Sequence, residues 1–127
     1  MQKQLDAVKE FHKIFKIGYS QVPKSSLGES KNLLRYNLMK EENEEYLQAV
    51  QDDDLTEIAD ALGDMLYILC GTIIEHGLQA KIEVVFDEIQ RSNMSKLDEN
   101  GQPIYREDGK VIKGSNYSKP NFEKILK

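Results

Sequence analysis

Carboxylates are the side chains through which this 127-residue chain could do chemistry. Glu41, Glu42, Glu44 and Glu45 fall in one stretch, LMKEENEEY, and Glu57, Asp60 and Asp64 in the next. At about 100° per residue, Leu34, Leu38, Glu41, Glu42, Glu45 and Ala49 share an arc of roughly 100° on one helix. The glutamates therefore continue a stripe that begins and ends with apolar residues, while Glu44 points elsewhere. In the following segment Asp60 and Asp64 are the only charged residues between Ile58 and Ile74. Glu57, Asp60 and Asp64 project from one face, being three and four apart.

Like charges turned toward a core are costly unless they are paired or hold a cation. The available partners are few. No Lys or Arg lies between Leu55 and His76, and the preceding helix offers Arg35 and Lys40, too few to neutralise five or six acids. A divalent metal is the economical solution. Oxygen donors without Cys or His favour Mg²⁺, or Mn²⁺, over zinc.

A second polar group follows in RSNMSK. Asn93 and Lys96 lie near one helix face, and Arg91 is rotated away from it. Lys96 could meet a phosphate as a point charge, and Asn93 could hydrogen-bond a base, a sugar or a carboxylate. Other chemistries find no support. Neither histidine follows a glutamate by three residues, since position 73 is Ile and position 9 is Lys, so a di-iron carboxylate site is disfavoured. There is no Walker-type loop, no nucleophile arrangement around Cys70, and no calcium loop in DENGQP or REDG, which read as turns.

The elements that must position these residues are helical. Apolar periodicity predicts helices over about 3–16, 31–51, 55–76 and 80–94. Ser30 is the expected N-cap of the second, and the Asp52-Asp53-Asp54 run is a turn that caps the third. The third is apolar almost all round and is expected to be central. Residues 17–30 form a loop long enough to be functional. Asp-Gly between Ile104-Tyr105 and Val111-Ile112 predicts a hairpin over about 103–113, and residues 114–127 form an extended tail with room for one last helical turn. The expectation is one all-α domain over 1–127: a four-helix bundle protomer with a short C-terminal β-hairpin and tail.

Composition narrows the class further. With 39% apolar and 31% charged residues of mixed sign, a folded core is expected. A net charge of −5 argues against nucleic acid as a partner. No apolar run approaches a membrane span. The N-terminus lacks the apolar centre of a signal peptide, and a single cysteine fits a reducing, cytoplasmic setting.

LMKEENEEY followed by DALGDMLYIL resembles the signature of the all-α nucleoside triphosphate pyrophosphohydrolases. This superfamily includes MazG-type enzymes, dimeric dUTPases and phosphoribosyl-ATP pyrophosphohydrolases. Glu42-Asn43-Glu44-Glu45 supplies the ExxE motif, and Asp64 closes the second acidic motif. The stretch VFDEIQRSNMSKLDENGQPIYREDGKVIKGSNY is similar to a MazG-like, phosphoribosyl-ATP-pyrophosphohydrolase-like subgroup. One departure is visible: the usual second motif would place glutamate at position 61, which here is Ala61. Either Asp60 takes over, or Glu57 pairs with Asp60.

The resemblance implies a metal-dependent hydrolase that splits a nucleoside triphosphate between its α and β phosphates, giving a monophosphate and pyrophosphate. Glu42, Glu45 and Asp64 would hold metal, with Asp60 a further ligand. Glu41 would be another ligand or the base that orients water, so Glu41, Glu42 and Glu45 form the catalytic set. Lys96 and Asn93 would contact the nucleotide, with Arg91 in support and Tyr117 stacking over base or sugar. The implied cofactor is Mg²⁺, with Mn²⁺ as a substitute. A homodimer or homotetramer is expected, because a second apolar stripe (Met39, Tyr46, Val50) leaves the second helix uncovered. Two alternatives stay open: phosphoribosyl-ATP as the substrate, and a noncatalytic nucleotide-binding helical module.

Overall fold

A computed structural model describes all residues, 1–127. The chain is mostly helical with one small antiparallel hairpin, as expected. Its element order is α1 (Gln2–Ile14), α2 (Glu29–Gln51), α3 (Leu55–Glu75), α4 (Ile82–Met94), β1 (Ile104–Tyr105), β2 (Val111–Ile112) and α5 (Glu123–Leu126). It divides into two compact units, Met1–Ala80 and Lys81–Lys127.

In the first unit α1 and α2 both pack on α3, which is the central helix. The core is thin and built from Leu5, Val8, Ala49, Ala61, Cys70, Ile73 and Ile74. Cys70 is a small buried hydrophobe. Asp54 caps α3, its carboxylate accepting from the Glu57 amide at 3.1 Å. Asp53 takes a positive φ of 52° in the turn before it, and that tight turn folds α3 back along α2.

The start of α2 differs from expectation. The helix begins at Glu29 behind Gly28, whose φ is 93°, and Ser30 is already inside it. The entering loop is satisfied by other side chains. Asn32 Oδ1 accepts from the Leu27 amide at 2.8 Å, and Ser26 Oγ accepts from the Gly28 amide at 3.1 Å. Glycine's freedom at positive φ lets the chain turn into the helix two residues early.

The loop between α1 and α2 is tied to the far end of α3. Backbone amides of Ser20 and Lys24 donate to Ile74 O at 3.0 Å and His76 O at 2.9 Å. His76 Nδ1 donates back to Lys24 O at 2.9 Å, and Gln79 Nε2 donates to Ser20 O at 2.8 Å.

A buried ion cluster under this loop was not legible in the residue pattern. Glu75, 2% exposed, receives Lys31 Nζ at 2.5 Å on one oxygen and Arg35 Nε at 3.2 Å on the other. Arg35 also donates to Thr72 Oγ1 at 3.0 Å and Ile68 O at 2.8 Å. Its pKa is lowered by burial, an effect that Glu75 opposes. Arg35 is thus committed to Glu75 and cannot serve as the counter-ion for the acids further along α2. Gly71 makes room for the cluster. A Cβ there would lie 2.6 Å from Arg35 Nη2 and 2.8 Å from His12 Nε2.

The second unit holds α4, the hairpin and the tail. The hairpin falls where it was expected, with Ile104 paired to Ile112 and Tyr105 to Val111. The turn between them uses Gly109 at φ 86° and Asp108 Oδ1 accepting from the Lys110 amide at 3.1 Å. The last helical turn is α5.

Removing one partner of a buried ion pair leaves an uncompensated charge. Glu75→Gln is therefore expected to lower unfolding free energy by about 3–5 kcal/mol, read by urea denaturation. A loss under about 1 kcal/mol, the scale of an exposed pair, contradicts the account. Gly71→Ala is expected to destabilise by about 1–3 kcal/mol through overpacking against Arg35 and His12. An unchanged urea midpoint would show that both side chains yield freely.

Candidate functional site

Helices α2 and α3 run antiparallel, as their cross-contacts reveal. Arg35 meets Ile68 and Thr72 near one end. Glu42 lies opposite Asp60 and Asp64. Glu45, Gln48, Ala49 and Asp52 share a cleft with Glu57, Asp60 and Ala61 at the other end. As one number rises the other falls. This register alone brings the two acidic motifs, distant in sequence, onto facing surfaces.

Glu42 is the electrostatic centre. Its carboxyl is pushed up from the usual 4.5 to about 7, first by burial, then by a hydrogen bond and charge from Glu45, then by the charges of Asp64 and Asp60. One oxygen, Oε2, is buried with no hydrogen-bond donor. These two facts describe the same conflict. Two ionised carboxylates offer each other no donor, so Glu42 can bond to Glu45 only while it keeps its proton.

The acids are less buried than their place in the apolar stripe suggests. Glu42 is half-buried, but Glu45, Glu57, Asp60 and Asp64 are exposed. Within the first unit they converge along the open edge of the α2–α3 pair, where water still reaches them. Leu34, which shares their arc, is also largely exposed, at 52%. The contacting face of α2 is centred instead on Arg35, Glu42 and Ala49.

No three acidic, histidine or cysteine side chains are gathered into a coordination sphere. The donor chemistry still fits a hard divalent cation. All donors are carboxylate oxygens, one is buried without a partner, and the group carries an excess of negative charge that nothing nearby neutralises. Mutual repulsion keeps such groups apart until a cation offsets it. Glu42, Glu45, Asp60 and Asp64 are the residues that could hold one.

The remaining site residues fall as follows. Glu41 is exposed, and the charges acting on Glu42 come from Glu45, Asp64 and Asp60 rather than from Glu41. Ala61, 2% exposed, floors the cleft of about 170 Å³ that Glu45, Glu57 and Asp60 line. Both candidates for the fourth position thus open onto that cleft, and Asp60 also acts on Glu42. Asp52 and Gln48 line it too, joined at 3.1 Å. Sequence reasoning assigned Asp52 only to the turn; its signal was its spacing four residues after Gln48.

In the second unit Asn93 and Lys96 line a common cleft. Arg91 is engaged within the protein. It makes a bidentate pair with Glu88 at 2.8 and 3.0 Å and reaches Lys119 O at 3.2 Å. Arg91 and the Asn121 amide hold the Glu88 carboxyl down at about 2. Tyr117 has Lys113 Nζ 4.6 Å from its ring centre.

Carboxylates facing one another on an antiparallel helix pair, within a mostly helical chain, accord with the all-α nucleotide pyrophosphohydrolase class, to which the matching family belongs. A family model described as phosphoribosyl-ATP pyrophosphohydrolase matches residues 8–93, and the chain belongs to that family. The match takes in α2, α3 and most of α1 and α4, and it leaves the hairpin outside. The chain is also 34% identical over 67 residues to a protein of Acanthamoeba polyphaga mimivirus described as uncharacterized protein L479. That alignment covers 53% of this chain and 27% of the viral protein, so the match spans about a quarter of the relative's length.

The raised Glu42 pKa has a sign that can be checked in chelator. The folded chain holds the Glu42 proton more tightly than the unfolded chain does. Its stabilising contribution is full below pH 4.5 and is lost as pH rises through about 7. Thermal unfolding in EDTA is expected to show stability falling across that window, and Glu42→Gln to flatten the fall. An identical pH dependence in the variant would contradict the convergence of charge on Glu42.

Proposed function

We propose that the protein is a divalent-metal-dependent nucleotide pyrophosphohydrolase that cleaves a nucleoside triphosphate between the α and β phosphates. The observation that carries the reading is the half-buried Glu42, with an orphaned oxygen, facing the carboxylates of Glu45, Asp60 and Asp64. The family match supports a hydrolase acting on a phosphoric anhydride bond. Oxygen-only donors favour Mg²⁺, with Mn²⁺ as a substitute. When bound, such an ion supplies charge neutralisation and Lewis-acid polarisation of phosphate oxygens.

The chain's own residues do the rest. Glu42, Glu45, Asp60 and Asp64 hold the ion and fix its position. Glu41, exposed beside them, is free to orient water or to accept its proton. In the second unit, taken by itself, Lys96 offers charge suited to a phosphate and Asn93 a donor and acceptor suited to a polar nucleotide edge. Positioning and charge neutralisation, more than covalent chemistry, are what this class of reaction requires. Phosphoribosyl-ATP is a second reading of the substrate, favoured by the description of the matching family.

A second copy of the chain is the proposed partner. Leu55, Leu62, Leu66 and Leu69 form a stripe on α3, and all are 44% or more exposed. Within the helix they lie opposite the acids. A soluble monomer rarely leaves such a row open, and closed symmetric oligomers are the usual way to cover one. Leu66→Glu is expected to shift sedimentation toward the monomer. A wild-type chain that sediments as a monomer at all concentrations contradicts this assembly.

The activity test is release of pyrophosphate from a panel of nucleoside triphosphates and phosphoribosyl-ATP, with and without Mg²⁺. Glu42→Gln and Asp64→Asn are expected to lower kcat by about 10²–10³-fold, the scale of losing one group that stabilises transition-state charge. Turnover of no nucleotide with any divalent ion would leave a binding module instead.

A further inference from the structure

The hairpin lies outside the matched family region, yet it helps to build a cleft. That cleft, of about 400 Å³, is lined by Asn93, Met94, Lys96, Leu97, Pro103 and Val111. Small-molecule sites typically span roughly 300–1,000 Å³ and combine apolar walls with a few polar groups. Here Asn93 in the last turn of α4 and Lys96 just beyond it supply two polar side chains, and the rest of the lining is apolar. Met94 and Val111 are 55% and 44% exposed, so the cleft leaves apolar surface open to an occupant.

The cleft is held by clamps at both ends of the hairpin. At its entry Asp98 Oδ1 accepts from the amides of Asn100 at 2.9 Å and Gln102 at 2.8 Å, and the Asp98 amide donates to Gln102 O at 2.8 Å. This turn fixes the position of Pro103. At its exit the Gly114 amide donates to Lys96 O at 2.8 Å. A Cβ on Gly114 would lie 2.4 Å from Leu97 O, so only glycine permits the approach. A ribbon with two residues per strand is marginal alone. Its two ends are instead tied to residues 96–98, which keeps Val111 and Pro103 beside Met94 and Leu97.

We infer that this cleft takes the heteroaromatic base of a nucleotide, an inference that rests on the nucleotide reading above for its choice of ligand. A base has apolar faces and a polar edge, and the lining has the same division. Met94 offers a polarizable thioether to a ring. Leu97, Pro103 and Val111 complete the apolar walls. Asn93 carries both a donor and an acceptor for the ring edge. Lys96 supplies positive charge, complementary to the phosphates a base carries with it. The hairpin is thereby a specificity element.

The test is amide NMR of the full chain in EDTA, titrated separately with adenosine, guanosine, cytidine, uridine and inorganic tripolyphosphate. At least one nucleoside is expected to move the resonances of Met94, Leu97 and Val111, and tripolyphosphate is not expected to reproduce that pattern. Val111→Glu is expected to weaken nucleoside affinity by about tenfold or more. Gly114→Ala, which pushes the hairpin off Leu97, should do the same. Cleft resonances unmoved by every nucleoside overturn the inference, as does a Val111→Glu variant with unchanged affinity. Shifts at these amides that follow protein concentration without ligand would assign the cleft to a second copy and also overturn it. No metal or turnover enters this titration. A chain that binds nucleoside here and hydrolyses nothing sinks the hydrolase reading alone. An active hydrolase whose cleft ignores nucleosides sinks this inference alone.

Discussion

Repulsion between like charges on facing helices is the interaction around which the first unit is arranged. Antiparallel packing of α2 on α3 sets Glu42 and Glu45 against Asp60 and Asp64. Nothing in the packing relieves the conflict. Folding tolerates it because most of the acids stay at a wet edge and because Glu42 can retain a proton. Uptake of a hard cation, as proposed, would gain from this arrangement. The attraction for such an ion would come from a repulsion already present in the folded chain, and its binding would draw the separated carboxylates together.

Holding that register requires stabilisation elsewhere, and the structure supplies it at both ends of the helix pair. At one end the Asp54 cap and the tight turn at Asp53 fix where α3 begins. At the other, Glu75 gathers Lys31 and Arg35, with Thr72 and the Ile68 carbonyl completing the guanidinium's partners. Two of the three basic residues of α2, Lys31 and Arg35, are used here, away from the acidic edge. That division keeps the carboxylates uncompensated by protein. A basic side chain among them would compete with any cation.

Much of this was legible from residues. The helices follow from apolar periodicity, and the hairpin from Asp-Gly between two pairs of strand-favouring residues, Ile104-Tyr105 and Val111-Ile112. The convergence of the two acidic motifs follows from stripe geometry on two consecutive helices. The depth of the acids did not follow. Sharing an arc with Leu34 and Ala49 does not bury a residue when the neighbouring element covers only part of that arc. The Glu75 cluster was also hidden, because a glutamate at the end of a helix reads as ordinary solvent-facing charge. Its burial depends on a loop, residues 15–28, whose path no local pattern specifies. Ser30 as a cap failed for a related reason: Ser26 and Asn32 had already satisfied the turn through Gly28.

The central claim is that Glu42, Glu45, Asp60 and Asp64 together grip a divalent cation. Electron paramagnetic resonance of Mn²⁺ titrated into the protein, with pH monitored in weak buffer, addresses it directly. The account requires saturable Mn²⁺ binding near pH 6.5, accompanied by proton release as Glu42 gives up its proton. Binding should be strongly weakened in Glu42→Gln and Asp64→Asn and competed by Mg²⁺. A Mn²⁺ signal that stays that of the free ion throughout, or binding that survives both substitutions, would contradict it.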